Sequence, residues 1–204
     1  MKRLDHAVRR AAAAFFVLIV LLFFVAAWFA RHEELSDLDR GARTLVRQGR
    51  ASALERPVRM LSVLGSGYVL LPVTVVCSAV LWRRRHRVVA LALPLIGATA
   101  AGVLALTKWI VNKPRPSLRG YGFPSGHVFG VTVFVVMAVY LLWLFDAPRR
   151  AQRLACAVGV AFIVAVGYSR LYVNAHWLSD VVGGLLAGLA FAVVAVLVTD
   201  RRLR

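Results

Sequence analysis

Six long apolar runs constrain this chain more than any other feature. A bilayer core about 30 Å thick takes roughly 20 residues of helix. Runs of that order lie at about 11–30, 66–82, 88–107, 126–145, 154–172 and 178–199. Backbone N–H and C=O groups in hydrocarbon must find partners inside their own segment, so such runs fold as helices. The expected fold is all-α: one membrane domain over residues 1–204, built as a bundle of six transmembrane helices. The second run carries Pro72 and the fifth ends in polar residues, so these two give the weakest span signals. A mean hydropathy of +0.73 agrees with a membrane class rather than a soluble one.

Cations set the expected orientation. Lys2, Arg3, Arg9 and Arg10 precede the first run, and Arg83, Arg84, Arg85 and Arg87 separate the second from the third. Arg149, Arg150 and Arg153 separate the fourth from the fifth, and Arg201, Arg202 and Arg204 follow the sixth. Six spans put all four clusters on one face, and the positive-inside rule makes that face cytoplasmic, with both termini. A soluble protein with a net charge of +17 would suggest nucleic acid. Here no basic face remains once the apolar runs are removed, so no nucleic-acid partner is expected. The first run has a second reading, a cleaved signal peptide with Val25-Ala26-Ala27 as a weak cleavage site. Its length favours a retained span. Cys77 and Cys156 both lie inside apolar runs, and no Cys/His group has metal-ligand spacing.

Three segments fall on the opposite, outer face. Residues 31–65 carry seven Arg against five Asp and Glu. They read either as a solvated connector or as an amphipathic helix along the membrane surface. Residues 108–125 carry Lys108, Lys113, Arg115 and Arg119 with no acid among them, against the orientation rule for a short loop. An anionic ligand would compensate them; snorkelling to lipid headgroups is the plainer alternative. Pro114 and Pro116 stiffen the backbone on either side of Arg115.

Pro124-Ser125-Gly126-His127 then opens the fourth run. Ser125 is the expected N-cap, which leaves free amides and the positive helix end facing outward as an anion site. His127 falls in the first turn. The third segment, near 170–177, brings Arg170, His176 and, just beyond it, Asp180. His176 and Asp180 are four apart at the start of the sixth run, so a shared helix face would bring them within about 6 Å. A carboxylate there fixes the imidazole tautomer and leaves the other ring nitrogen free to attack. A structural His–Asp cap is the bland alternative.

Together these segments resemble the phosphatidic acid phosphatase type 2 superfamily of membrane lipid phosphatases. That family's pattern is Lys, six residues, Arg-Pro; then Pro-Ser-Gly-His; then Ser-Arg, five residues, His, three residues, Asp. This chain supplies Lys108 with Arg115-Pro116, then Pro124 to His127, then Ser169-Arg170 with His176 and Asp180. Each part is weak alone, and three in order make a strong signal. The resemblance implies a core shared with soluble vanadate haloperoxidases and a metal-independent lipid phosphatase without a cofactor. It implies His176 as nucleophile, Asp180 as its orienting partner and His127 as acid, then base. Lys108, Arg115, Ser125, Gly126 and Arg170 would bind the phosphate. No carboxylate cluster is in place to hold Mg²⁺.

The implied substrate is a membrane lipid phosphate or isoprenoid diphosphate, such as phosphatidate, phosphatidylglycerol phosphate or undecaprenyl diphosphate. The motifs read phosphate and leave tail and headgroup open. A non-catalytic binder of lipid phosphates would need only the cations, not the two histidines and the acid. A transporter would place ionisable groups near the bilayer midplane, where this chain has almost none. Gly183, Gly184 and Gly188 permit close helix packing, within the chain or between chains.

Overall fold

The computed structural model describes residues 4–32, 36–117 and 120–203. Arg119, one of the cations counted above, lies outside the described residues, as do Lys2, Arg3 and Arg204.

Every element among the described residues is a helix. They are α1 (His6–Arg31), α2 (Ser36–Gln48), α3 (Ser52–Leu64), α4 (Gly67–Arg83), α5 (Arg87–Val111), α6 (Gly126–Leu144), α7 (Arg149–Tyr172) and α8 (Leu178–Arg202). Five of them, α1, α5, α6, α7 and α8, are each long and apolar enough to cross a membrane. The second expected span differs. α4 has 17 residues, roughly 26 Å of rise, short of the bilayer core. It qualifies only together with α3, from which it is bent by 46°. Of the six spans expected from sequence, five are therefore single helices, and the sixth is reached only as this bent pair. The bend presses on α7: a β-carbon added at Gly65 would lie 2.6 Å from Val166 Cγ1.

Residues 36–48 and 52–64 are helical rather than a simple connector, as α2 and α3. The large apolar side chains left exposed, including Leu21, Phe24 and Trp28 of α1 and Leu91 and Leu95 of α5, are what lipid-facing helices need. The architecture is that of a multi-pass membrane protein.

α8 is the central helix, lying against α6 and α1, while α6 also packs on α7, and α4 on α5. Small residues on α8 make this closeness possible. A β-carbon at Gly188 would stand 2.7 Å from Thr132 Cβ. One at Gly184 would stand 2.6 Å from the Ser125 carbonyl oxygen, and one at Gly183 would run into the Phe123 ring. These glycines thus serve packing within the chain, and they set the Phe123–Ser125 segment directly on the first turns of α8. Phe123 is fully buried against Ala30 and Val111, with Phe23 stacked on it at 5.8 Å between ring centroids. At the far end of the bundle Arg9 of α1 pairs with the fully buried Asp200 of α8.

Candidate active site

The turn between α7 and α8 builds the centre. The Arg170 carbonyl accepts from the amides of Ala175 (3.1 Å) and His176 (3.3 Å), and Asn174 takes a left-handed φ of 57° to close the turn. Trp177 is the N-cap of α8, so His176 stands one residue before the N-cap and not on the helix face. The expected helix-face contact is corrected accordingly. Asp180, in the first turn, reaches backward to meet the turn. Its Oδ2 accepts from the Trp177 amide at 3.0 Å and lies 3.1 Å from His176 Nδ1. An acid at this position satisfies one of the amides that any helix start leaves open. The same oxygen fixes the imidazole. With Nδ1–H donated to Asp180, Nε2 carries the lone pair.

Both groups are deeply buried, His176 at 4% exposure and Asp180 at 0%. Burial pushes the His176 imidazole below its ordinary value. The Asp180 hydrogen bond and charge oppose this, and the Arg170 and Lys108 cations add to it. Gly122 lies flat against the carboxylate: a β-carbon there would come within 2.5 Å of Asp180 Oδ2.

The Pro124–His127 segment is tied to the same helix turn. The Ser125 amide donates to the Asp180 carbonyl at 2.8 Å. Ser125 occupies the N-cap position of α6, as expected, with extended backbone (φ −67°, ψ 116°). Its hydroxyl, however, makes no capping bond; it is buried with no hydrogen-bond partner. His127, half-buried in the first turn of α6, lies within reach of the charges of Arg170, Arg115 and Lys108 and of the His176 ring.

The cation loop departs from expectation in two places. Lys108, near the end of α5, gives its ammonium to three carbonyls: Pro124 (2.7 Å), Gly122 (3.0 Å) and Tyr121 (3.2 Å). In this state it shapes the loop that presents Ser125. Lys113 is not left for a ligand to neutralise. It is buried in an ion pair with Asp39 of α2 at 2.6 Å. Arg115 braces the loop, its Nε donating to the Tyr121 carbonyl at 3.0 Å. The loop is joined to the α8 start by Trp177 Nε1, which donates to the Pro114 carbonyl at 3.0 Å.

Three contributors from α2, α3 and α8 were not singled out in the sequence. Asp39 and Ser179 form a closed group with Lys113. Ser62 of α3 accepts from the Arg170 guanidinium. Nothing local marks Asp39 or Ser62 apart from other polar residues in their helices. Among the buried polar side-chain atoms with no hydrogen-bond partner, most sit at this end: Arg43 Nε, Ser125 Oγ, Arg170 Nε, Asn174 Oδ1 and Asp180 Oδ1. Native interiors leave few such atoms unsatisfied, and a cluster of them marks a place where a polar ligand would bind.

Residues 118–204 match the model of the PAP2 superfamily. His127, Arg170, His176 and Asp180 fall inside the matched stretch, and Lys108 and Arg115 lie upstream of it. Phosphatidylglycerophosphatase B of Bacillus subtilis (strain 168) is 27% identical over 133 residues, covering 62% of this chain and 66% of that protein. The undecaprenyl-diphosphatase of Sulfolobus acidocaldarius is 28% identical over 156 residues, covering 71% and 70%. Phosphatidylglycerophosphatase B of Escherichia coli (strain K12) is 35% identical over 82 residues, but these are 40% of this chain and 30% of that protein. The matched stretch thus spans just under two thirds of the first of these relatives and under a third of the last.

The crystal structure of a transmembrane PAP2 type phosphatidylglycerolphosphate phosphatase from Bacillus subtilis shares the fold. Its TM-score is 0.84 at 22% identity, over 93% of this chain and 97% of that one. In the present structure an apolar cleft of about 260 Å³ opens between α4, α5 and α6. It runs from Gly67, Leu104 and Gly126 beside the site down to Ile96, Phe129 and Met137.

Proposed function

We propose that this protein is an integral membrane phosphatase that hydrolyses a lipid phosphate or isoprenoid diphosphate through a phosphohistidine intermediate. The observation that carries this reading is the His176–Asp180 contact made through Nδ1, which leaves Nε2 as a buried, neutral, oriented nucleophile beside unpaired donors. The Nε2 lone pair attacks phosphorus, and the bond from phosphorus to the leaving oxygen breaks. His127 delivers a proton to that oxygen. Water then attacks the phosphohistidine, its proton passes to His127, and the N–P bond breaks to release inorganic phosphate and free His176.

Phosphoryl transfer asks mainly for positioning and charge stabilisation. Arg115 and Arg170, the Ser125 hydroxyl and the Gly126 amide supply these. Lys108 contributes by holding the loop, and joins the phosphate when the loop carbonyls release it. Among the described residues no three His, Cys, Asp or Glu side chains come together as a metal site. In this reading arginines and amides carry the charge stabilisation, and the reaction is metal-independent.

The apolar cleft that begins at Gly126 suits lipid tails that stay in the bilayer while the phosphate enters the site. The reading keeps one membrane domain, the site on the outer face and both termini in the cytoplasm, on the distribution of cations. The names of the relatives put phosphatidylglycerol phosphate and undecaprenyl diphosphate first among substrates to try.

The test is phosphate release by the purified protein in detergent. Phosphatidate, phosphatidylglycerol phosphate and undecaprenyl diphosphate are each assayed, with and without EDTA, alongside His176→Ala. Turnover lost in the variant and unaffected by EDTA is expected. Equal rates for wild type and variant would end the nucleophile assignment, and loss with EDTA would end the metal-free mechanism.

A further inference from the structure

We propose that Asp39 is a positioning residue for the reaction centre, a strut from α2 that fixes the first turn of α8 and so holds His176 on Asp180. This inference rests on the phosphatase reading, since it concerns the same site. Asp39 is the one residue of α2 that the fold buries, at 2% exposure. A helix whose one fully buried residue is an acid has its directional bonds concentrated there.

Those bonds converge on α8. Asp39 Oδ1 accepts from the Ser179 amide at 2.8 Å, one of the open amides of the helix start. Oδ2 accepts from Ser179 Oγ at 2.7 Å and from Lys113 Nζ at 2.6 Å, and Lys113 also donates to Ser179 Oγ at 2.6 Å. Ser179 is the residue immediately before Asp180. The same helix lays Arg43 over the Trp177 ring at 5.4 Å, immediately after His176. Residues 177–179 are therefore gripped from the α2 side. From the α6 side, Ser125 grips the Asp180 carbonyl. The nucleophile, His176, lies in the turn immediately before these two grips. A carboxylate that is both capped by a helix amide and paired to a lysine resists rotation in a way that an apolar side chain would not.

The experiment compares wild type, Asp39→Asn and Asp39→Asn/Lys113→Met, full length in detergent. Three measurements are made: the rate of His176 modification by diethyl pyrocarbonate, resolved by peptide mass spectrometry; kcat and KM for the best lipid phosphate; and thermal unfolding. Asn keeps the shape but sets an uncharged amide against the lysine. The double variant removes the ammonium left behind, so a folded protein is available even if the single variant fails to fold. Modification at least about fivefold faster is expected in both, as local opening at the turn rises. kcat should fall about tenfold or more with KM changed less than about threefold, the pattern of a lost alignment and not of lost binding. A role confined to stability would lower the unfolding temperature and leave kcat and the modification rate of the folded protein unchanged, which overturns the proposal. If wild type releases no phosphate, the phosphatase reading fails, while the modification rates still decide whether Asp39 holds the turn.

Discussion

The amide of Ser125 donates to the carbonyl of Asp180 at 2.8 Å, joining the start of α6 to the first turn of α8. One hydrogen bond thus links the segment proposed to bind phosphate to the segment that carries the proposed nucleophile, His176. Gly184 makes the approach possible, because a β-carbon there would stand 2.6 Å from the Ser125 carbonyl oxygen.

Gly184→Ala is therefore expected to push α6 and α8 apart at the site. The clash is with backbone and has no flexible end to yield. Overpacking of this kind costs about 1–3 kcal/mol. Thermal unfolding should show that loss, with phosphate release falling more than the folded fraction does. An unchanged unfolding temperature would mean that the helices have slack here.

Ser125→Ala separates binding from folding. The hydroxyl is fully buried and unpartnered, so removing it deletes an unsatisfied group and leaves stability equal or raised. Phosphate release should nevertheless drop about tenfold, a value in the range of one lost hydrogen bond to a charged group. A variant with full activity would remove Ser125 from the phosphate site.

His127→Ala tests the proposed proton donor through the leaving group. A general acid contributes typically about 10²–10⁴-fold. That loss is expected with an alkyl phosphate. It should shrink strongly with a p-nitrophenyl phosphate ester, whose oxygen leaves without protonation. An equal loss on both substrates would assign His127 to binding instead.

The pH dependence follows from His176. Burial holds its imidazole below the ordinary value of 6.5, against the pull of Asp180 and with the push of Arg170 and Lys108. The neutral, attacking form therefore persists below that pH, and the acid limb of kcat/KM should lie under 6.5. Stability carries the same sign. Between the folded and unfolded values the unfolded chain binds more protons, so this contribution is present above 6.5 and is lost as pH falls toward the folded value. Profiles of activity and of unfolding temperature from pH 4 to 8 check both. In His176→Gln the acid-side loss of stability should diminish. A limb above 6.5 that belongs to His176 would contradict its burial.

Two kinds of information were legible in the chain before any coordinates. The apolar runs specified helices, because backbone groups in hydrocarbon can only be satisfied locally, and α1, α5, α6, α7 and α8 follow those runs closely. The spacing of Ser125, His127, Arg170, His176 and Asp180 named the candidate centre, because each motif is a short segment whose chemistry depends on near neighbours. The second run matches α4 in place and length; what it did not show is that so short a helix is extended by a bent junction with α3.

What only the tertiary structure decided is where each charge goes. By sequence alone, Lys113 was one of four uncompensated cations; in the fold it is paired with Asp39, far away in the chain. Lys108 reads as a phosphate ligand and is found gripping the carbonyls of Tyr121, Gly122 and Pro124. His176 reads as a helix residue and stands just outside the helix, met by an acid that reaches back to it. The physical reason is common to all three. A helix in lipid closes its hydrogen bonds within a few residues, so its position can be read locally. A buried charge must find a partner wherever the folded chain brings one, and linear sequence does not encode that distance.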